Sequence, residues 1–247
     1  MKITVITAVY NNHATIVDAI DSMLAQSHPD VELIVIDGGS TDGTLEVLQA
    51  YADNITVLIS EPDRGIYDAL NKGLVHVTGE VVGFLHSDDV FADAQVLARI
   101  AGVFSASGVD AVYGDLEYVK KSAPELVVRY WKSGEYSADK LRHGWMPPHP
   151  TFYVRRAVYQ RLGGFDLSYR IAADYDCMLR FLANGIQVAY LPQVLVKMRL
   201  GGASNKSLKN IWLKSREDLR ALRQNRVGGL GTLLGKNFSK LPQFFRR

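Results

Sequence analysis

The 247-residue sequence has one cysteine and no apolar run near the roughly 18 residues that a membrane-spanning helix needs. A lone Cys177 cannot form an internal disulfide, which fits a reducing compartment, and its apolar helical setting predicts a core thiol. Residues 1–7 are strand-like and lack the apolar segment and cleavage site of a secretory signal. We therefore expect a cytoplasmic protein without membrane-spanning helices.

Two nucleotide-related signatures are also missing. The G-x-G-x-x-G fingerprint does not occur, which argues against a dinucleotide oxidoreductase. A sugar-nucleotide nucleotidyltransferase usually needs a glycine-rich, cationic phosphate loop after the first strand, and residues 10–13, Tyr-Asn-Asn-His, do not supply one. No recognisable nucleic-acid-binding module is present, so we expect no nucleic-acid partner.

Excess charge of one sign occurs mainly at the carboxyl end. The chain is 47% hydrophobic and 22% charged, which is ordinary for a globular protein with a substantial core. The net charge of +2 conceals an asymmetry, because residues 206–247 carry eleven Lys or Arg and two acids, whereas the remainder carries 17 basic and 24 acidic residues. This distribution predicts an anionic partner for the carboxyl-terminal segment.

Apolar periodicity predicts strands that alternate with helices. Residues 31–37 are almost continuously apolar, as expected for a parallel strand covered on both faces. The βαβ spacing predicts an α/β fold with a doubly wound, mostly parallel sheet. We expect strands near 2–9, 31–37, 55–60, 81–85, 111–113, 126–130, 151–154 and 186–198, and helices near 16–24, 45–51, 66–77 and 93–105, with one more carrying Asp174.

Three groups of acids stand where predicted strands end or a helix begins. Asp37 and the pair Asp88-Asp89 follow apolar strands, and Asp174 begins a later helix. Ligands of an open α/β sheet bind at the carboxyl ends of its strands. Because Mg²⁺ and Mn²⁺ take oxygen ligands and usually arrive with substrate phosphates, the pattern predicts a metal-assisted enzyme for a phosphorylated small molecule.

Each acid also has a purely structural interpretation. Asp37 before two glycines is good turn chemistry. Asp174 is equally well explained as a helix-start acid that the helix dipole favours. Adjacent acids such as Asp88 and Asp89 repel each other unless a cation or solvent relieves them, which favours a metal-diphosphate site there.

Taken together, the motifs resemble those of family 2 glycosyltransferases, in order and spacing, over about residues 1–200. The resemblance rests on five segments: Thr7-Ala-Val-Tyr10-Asn11-Asn12, Val35-Ile-Asp37-Gly-Gly-Ser-Thr-Asp42-Gly43-Thr44, Glu61-Pro-Asp63-Arg-Gly65 with Ile-Tyr67-Asp68-Ala69-Leu-Asn71-Lys72-Gly73, Phe84-Leu-His-Ser87-Asp88-Asp89 and Ala173-Asp174-Tyr175-Asp176. It implies a GT-A fold, inverting transfer from a nucleotide-sugar, a divalent metal (Mn²⁺ or Mg²⁺), and a role of the bacterial exopolysaccharide or O-antigen type. The Gln-x-x-Arg-Trp motif of processive synthases is absent, so single additions are expected.

The resemblance also implies roles for individual residues. Asp37 would accept a hydrogen bond from the nucleotide base, and Asp89 would bind the metal that bridges the diphosphate. Ser87 stands where the first acid of a D-x-D motif would be, so Asp88 is left between a ribose and a metal role. The remaining donor-binding positions are Thr7, Tyr10, Asp63, Asn71 and Lys72.

On the acceptor side, the resemblance makes Asp174 the general base, and Asp176 is the second choice. An inverting transfer needs a carboxylate opposite the leaving diphosphate to take the proton of the acceptor hydroxyl. His149, between two prolines, and the loop of residues 201–204 resemble segments near the acceptor and the diphosphate. A catalytically silent sugar-nucleotide or lipid-binding module is the alternative function.

The carboxyl-terminal segment predicts a membrane contact. We divide the chain into a GT-A domain at 1–205 and a basic amphipathic helix and tail at 206–247. Residues 206–226 are expected to pack on the domain, and 230–247 are expected to lie on anionic lipid. This placement, on the inner face of the cytoplasmic membrane, would suit transfer from a UDP-sugar to a glycan or a polyprenyl-diphosphate-linked glycan.

Overall fold

The computed structural model describes residues 1–201 and 208–238. Its strands are β1 (Ile3–Val9), β2 (Val31–Asp37), β3 (Val57–Ser60), β4 (Val81–Phe84), β5 (Val90–Phe91), β6 (Ala111–Lys120), β7 (Ala123–Trp131), β8 (Tyr153–Arg155) and β9 (Val188–Arg199). Its α-helices are α1 (His13–Leu24), α2 (Thr44–Ala50), α3 (Ile66–Val75), α4 (Val96–Ala106), α5 (Ala138–Arg142), α6 (Arg156–Leu162), α7 (Ala173–Ala183), α8 (Leu208–Gln224) and α9 (Leu230–Phe238).

The amino-terminal half forms the parallel part of the sheet. The strands lie in the order β3-β2-β1-β4, and all three neighbouring pairs are parallel. All seven residues of β1 are buried because helices cover both faces of the sheet. This arrangement confirms the predicted α/β class with a doubly wound, mostly parallel sheet.

The second half extends the same sheet with mixed strand directions. β8 is antiparallel to both β4 and β6, β9 is parallel to β6, and β5 and β7 are antiparallel to β9 and β6. The strand predicted at 151–154 begins only at Tyr153, because a 3₁₀ turn occupies His149–Thr151. The helix predicted at 93–105 begins at Val96. The two-residue β5 is too short to show a period in the sequence.

Helices form an apolar layer on each face of the sheet. One layer, with α1 and α4, buries Ile16, Ile20, Leu97 and Ile100 against β1 and β2. The other combines residues of α3, α7, α8 and α9, including Leu70, Phe181, Leu222 and Leu233. Cys177 lies inside this second layer, and burial raises the pKa of its thiol to about 12, which confirms a core thiol.

The carboxyl-terminal helices lie against the domain. α8 packs on α7 and α9 packs on α8. Within the described ranges, no helix is both long and apolar enough to cross a membrane. The loop of residues 202–204 and the end of the predicted lipid-binding segment, 239–247, lie outside the described residues.

Candidate active site

The four parallel strands end side by side, and their carboxyl ends form one edge of the sheet. Val9 pairs with Asp37, and Asp37 pairs with Ser60. Phe84 at the end of β4 pairs with Ile6 of β1. Consequently Tyr10, Asp37, the loop at 61–63 and the acids at 88–89 all follow strands that end at this edge, where α/β sheets bind ligands.

Tyr10 and Asp63 both lie next to Gly38, and we call these three residues the Gly38 pocket. A Cβ atom at this position would lie 2.5 Å from Asp63 Oδ2 and 3.4 Å from Cδ2 of Tyr10, so the three residues are in contact distance. Asp63 is held by the backbone N–H of Gly65, which donates to Oδ1 at 2.7 Å. The Tyr10 side chain is 62% exposed, which leaves its ring free for stacking on a planar ligand. The structure therefore brings Tyr10 and Asp63 together, as the sequence predicted.

Asp37 is fully buried behind this pocket. Its Oδ2 accepts hydrogen bonds from the Ser60 hydroxyl at 2.6 Å and the Ser40 backbone N–H at 3.1 Å, and Oδ1 accepts from the Ser40 hydroxyl. The carboxylate thus holds the turn after β2 against β3. A bond to a nucleotide base would require one of the serine hydroxyls to give way, and that role stays a prediction.

Asp88 and Asp89 differ in their surroundings. Asp88 is partly exposed, whereas Asp89 is buried. Oδ1 of Asp89 accepts a hydrogen bond from the Arg199 backbone N–H at 3.2 Å, and its Oδ2 has no hydrogen-bond partner among the described residues. Burial and the charge of Asp88 raise the pKa of Asp89 well above its usual range. Such an acid is stabilised by a cation placed beside it.

Two neighbouring imidazoles, those of His86 and His149, are affected by the charges of nearby acids. The ring of His86 is 5.9 Å from that of His149, which stacks on Phe84 at 5.2 Å. Burial lowers the pKa of His86, opposed by the charges of Asp88 and Asp174. Burial likewise lowers the pKa of His149 to about 4, so its ring is neutral near pH 7. His149 is therefore a buried wall of the site, and its contact with acceptor or diphosphate stays a prediction.

Asp174 lies in the first turn of α7 and is partly exposed. Its Oδ1 accepts a hydrogen bond at 3.0 Å from the Tyr67 hydroxyl, which also donates to the Ile171 carbonyl at 2.5 Å. Burial and the Asp174 charge raise the pKa of Tyr67, which keeps the phenol protonated as a donor. The sequence motif contained Tyr67 without indicating this contact.

Asp176, the alternative base, has structural partners. Its carboxylate accepts from Arg180 at 3.2 Å and from the Asn225 amide at 2.9 Å, so it ties α7 to the end of α8. Because both of its oxygens are bonded within the protein, Asp174 is the better placed of the two acids.

Three of the predicted donor-binding residues are engaged elsewhere. Thr7 is buried inside β1. Both polar atoms of the Asn71 amide bond the backbone of Phe165, at 2.8 and 2.9 Å. Lys72 Nζ lies 2.6 Å from Glu61 and 3.1 Å from the Pro62 carbonyl, which ties α3 to the loop at 61–63. These contacts support the walls of the site, and direct donor binding by the three residues stays a prediction.

A cavity of about 530 Å³ adjoins Tyr67 between the start of α3 and the loop before α7. It is lined by Arg64, Gly65, Ile66, Tyr67, Asp68, Leu167, Ser168, Tyr169 and Arg170. Its position beside the phenol that contacts Asp174 makes it a candidate acceptor pocket. Within the described part of the chain, no group of three or more His, Cys, Asp or Glu side chains is placed so that it could hold a metal ion by itself.

Solved structures share this fold. The solved TarS fragment 1–349 of S. aureus superposes with a TM-score of 0.73 at 20% identity, covering 97% of this chain and 72% of that one. Another TarS structure contains UDP-GlcNAc. The mannosyltransferase PcManGT of Pyrobaculum calidifontis was solved with GDP-Man and Mn²⁺. It superposes with a TM-score of 0.68 at 22% identity, and the match covers 98% of this chain and 70% of that one. These likenesses show the GT-A type of fold.

Sequence comparison shows the family. A PGL/p-HBAD biosynthesis glycosyltransferase of Mycobacterium bovis is 31% identical over 217 residues, 85% of this chain and 82% of that protein. An uncharacterized glycosyltransferase of Nostoc sp. is 32% identical over a match that covers 83% of this chain and 66% of that protein. The family model described as Glycosyl transferase family 2 matches residues 4–163, the part that contains the Gly38 pocket and the acid pair. The chain therefore belongs to glycosyl transferase family 2 and is a glycosyltransferase.

Proposed function

We propose that the protein catalyses an inverting, metal-dependent transfer of a sugar from a UDP-sugar to a hydroxyl of a glycan or polyprenyl-diphosphate-linked glycan in bacterial surface polysaccharide assembly. One observation carries this proposal. The Asp174 carboxylate, which accepts from the Tyr67 hydroxyl, and Asp88 of the acid pair both oppose the lowered pKa of His86, so we place the base and the diphosphate site around this imidazole.

The donor nucleoside fits the pocket at Gly38. Tyr10 offers an exposed ring for the base, and Asp63 offers a carboxylate for base or ribose donors. TarS binds UDP-GlcNAc and UDP, and PcManGT binds GDP-Man, which supports a nucleotide-sugar in this family. We assign UDP as the nucleotide of this chain.

A divalent cation fits the acid pair. The buried Oδ2 of Asp89 lacks a hydrogen-bond partner among the residues described, and Asp88 beside it is partly exposed. Two carboxylates suit Mg²⁺ or Mn²⁺ when substrate phosphates supply further oxygens. Such an ion, when bound, stabilises the negative charge that develops on the leaving diphosphate.

The transfer itself needs one proton acceptor. Asp174 takes the proton of the acceptor hydroxyl while that oxygen attacks the anomeric carbon of the donor. The new C–O bond forms as the bond from the anomeric carbon to the diphosphate oxygen breaks, and the bonding electrons leave with the diphosphate. Because attack and departure occur on opposite sides of the carbon, the configuration inverts. Tyr67 holds the carboxylate in place.

The acceptor side favours an anionic group. The cavity beside Tyr67 has the guanidinium-bearing Arg64 and Arg170 on its wall, and Asp68 pairs with Arg64 at 3.1 Å. Arginine suits phosphate oxygens through its fixed fork of donors. A diphosphate-linked acceptor with a polyprenyl chain would meet this requirement.

A lipid acceptor would bring the protein to the membrane through the segment 206–247. In α9, Leu233 packs inward while Leu230 and Leu234 are more than half exposed. Leu230→Ser with Leu234→Ser should weaken binding to vesicles rich in phosphatidylglycerol about tenfold in a sedimentation assay. Val75→Ser, at an exposed apolar residue of α3, is the matched control. Unchanged vesicle binding of the double variant would contradict the membrane contact.

The central experiment combines a thermal-shift panel with one substitution. UDP with Mn²⁺ should raise the melting temperature more than UDP alone, and more than GDP, dTDP, CMP or NAD. Asp174→Asn should lower transfer roughly 10²–10⁴-fold and leave UDP binding within a few-fold. Asp139→Asn, an exposed acid of α5, should behave as wild type. Normal transfer by Asp174→Asn would refute the base assignment, and nucleotide binding without any wild-type turnover would indicate a silent binding module.

A further inference from the structure

The helix that carries Asp174 has no capping residue of its own. α7 begins after Ala172, whose side chain cannot accept a hydrogen bond, although the first backbone N–H groups of a helix need acceptors. Glu217, in the middle of α8, instead accepts from the N–H group of this cap residue and from those of the two residues before it. This residue lies outside the segment 4–163 that the family model matches.

Glu217 binds three consecutive backbone groups. Its Oε1 accepts from the Arg170 N–H at 2.9 Å, and its Oε2 accepts from the N–H groups of Ile171 and Ala172 at 2.8 and 2.9 Å. The carboxylate is only 7% exposed, so little water competes for these bonds. Hydrogen bonds from N–H groups to a buried carboxylate are stronger than those between neutral partners, and a negative charge at a helix start is favoured.

The segment that Glu217 holds is in direct contact with the residues around Asp174. The Ile171 carbonyl accepts from the Tyr67 hydroxyl, and the same hydroxyl reaches Asp174 Oδ1. Displacement of Ile171 would therefore move the Tyr67 hydroxyl and with it the donor that orients the carboxylate. The chain of contacts runs from Glu217 through the backbone of 170–172 and Tyr67 to Asp174.

Neighbouring residues of α8 hold the same loop. Arg220 donates to the Ser168 hydroxyl at 2.8 Å and lies 4.4 Å from the Tyr169 ring centroid, and Asn225 donates to Asp176. Gln224 accepts from the Tyr169 hydroxyl. Residues 217, 220 and 224 recur at helical spacing, so one face of α8 contacts residues 168–172. Because this contact extends over more than one turn of α8, the helix supports the segment that leads to Asp174.

We propose that Glu217 is a positioning residue for the transfer: it fixes the start of α7 and thereby the orientation of the base Asp174. This inference rests on the proposed function, because it requires Asp174 to be the base. It assigns to the carboxyl-terminal helices a catalytic support role in addition to any contact with lipid. Substitutions at Glu217 should lower kcat and leave the donor affinity unchanged, since the Gly38 pocket lies on other elements.

The test compares Glu217→Ala and Glu217→Gln with Asp218→Asn. Alanine removes all three bonds, whereas the single glutamine oxygen retains some of them, so we expect kcat to fall about 10–100-fold for alanine and less for glutamine. UDP binding should stay within threefold of wild type. Asp218 is the matched control, because it is equally buried in α8 but pairs with Lys236 at 2.7 Å instead. The Asp218→Asn variant should lose thermal stability, but its kcat should equal that of the wild type when the assay temperature is well below the melting temperature of the variant.

A double-mutant cycle separates positioning from general damage. If Glu217 acts through Asp174, Glu217→Ala should cause less than a twofold further loss in an Asp174→Asn background. Multiplicative losses, or a kcat of Glu217→Ala within threefold of wild type, would overturn the inference. Normal transfer by Asp174→Asn alone would refute the base assignment instead, so the two failures are distinguishable.

Hydrogen exchange of the wild-type protein provides a measurement that needs no variant. Amides of 170–172 should exchange slowly although they lie in a loop, because each is bonded to a buried carboxylate. The turn at 121–122 between β6 and β7 is the comparison for an exposed loop. Exchange of 170–172 at the rate of that turn would overturn the inference even if the Glu217 variants failed to fold.

Discussion

Glu32 and Asp89 are two buried acids at opposite ends of the parallel strands, and their exposed fractions are nearly equal, 2% and 1%. Glu32 lies near the amino end of β2, where the hydroxyl and backbone N–H of Thr78 donate to it at 2.7 and 3.0 Å, with the Thr4 hydroxyl at 2.5 Å and Lys2 at 3.3 Å. Burial acts to raise the pKa of Glu32, but these donors outweigh it and hold the pKa at about 2. The charge is fully compensated within the protein.

Asp89 follows the carboxyl end of β4 and is compensated less, because only Arg199 opposes the rise of its pKa. One backbone N–H bonds its Oδ1, its Oδ2 has no partner in the described ranges, and burial beside Asp88 raises its pKa. The acid at the amino ends of the strands thus contributes stability, whereas the charge of Asp89 at the carboxyl ends is only partly compensated by Arg199. Proteins tolerate such groups mainly at functional sites.

The largest expected effect comes from Asp89→Asn. It should lower transfer by about 10²–10³-fold, since the diphosphate site loses a charge, and it should raise the melting temperature by several degrees because a poorly compensated buried charge is removed. Mn²⁺ should stabilise the wild type and not this variant. Calorimetry with and without Mn²⁺, together with a transfer assay, measures both effects.

Asp88→Asn is the control for the Asp89 prediction. Because Asp88 is partly exposed, its variant should lose transfer without the gain in melting temperature. A lower melting temperature for Asp89→Asn would mean that its charge is compensated after all, and the contrast with Glu32 would not hold.

Glu32→Gln should have the opposite and smaller effect. Its pKa is lowered on folding, so its stabilising contribution is present above about 4.5 and is lost as the pH falls toward about 2. At pH 7 the variant should lose on the order of 2 kcal/mol of unfolding free energy and keep wild-type transfer at 25 °C. Urea denaturation from pH 7 to pH 2 should show the curves of variant and wild type converging.

Asp30→Asn is the matched control for Glu32→Gln. Asp30 is half exposed and 3.9 Å from the amino terminus, so its variant should stay within about 0.5 kcal/mol of wild type. A pH-independent difference between Glu32→Gln and wild type would show that shape rather than charge determines the loss.

Much of the candidate site could be predicted from the sequence, because strand ends and glycine turns are local features. The apolar run at 31–37 predicts where Asp37 stands, and parallel strands bring Tyr10 and Asp63 to the same edge. Local pattern does not reveal which polar atoms are already bonded. Asn71 matched a donor-binding motif, yet its amide bonds Phe165, 94 residues away in the chain.

Taken by itself, the sequence determined the α/β class, the family motifs and the position of each acid at a strand end or helix start, because periodicity and turn chemistry act over a few residues. Only the tertiary structure decided which acids are compensated and which are not. Glu32 obtains its donors from Thr4 and Thr78, which are 28 and 46 residues away in the chain, and the segment before α7 obtains its acceptor from Glu217, which is 45 residues beyond Ala172. Such contacts depend on how helices pack on the sheet, which no local pattern encodes.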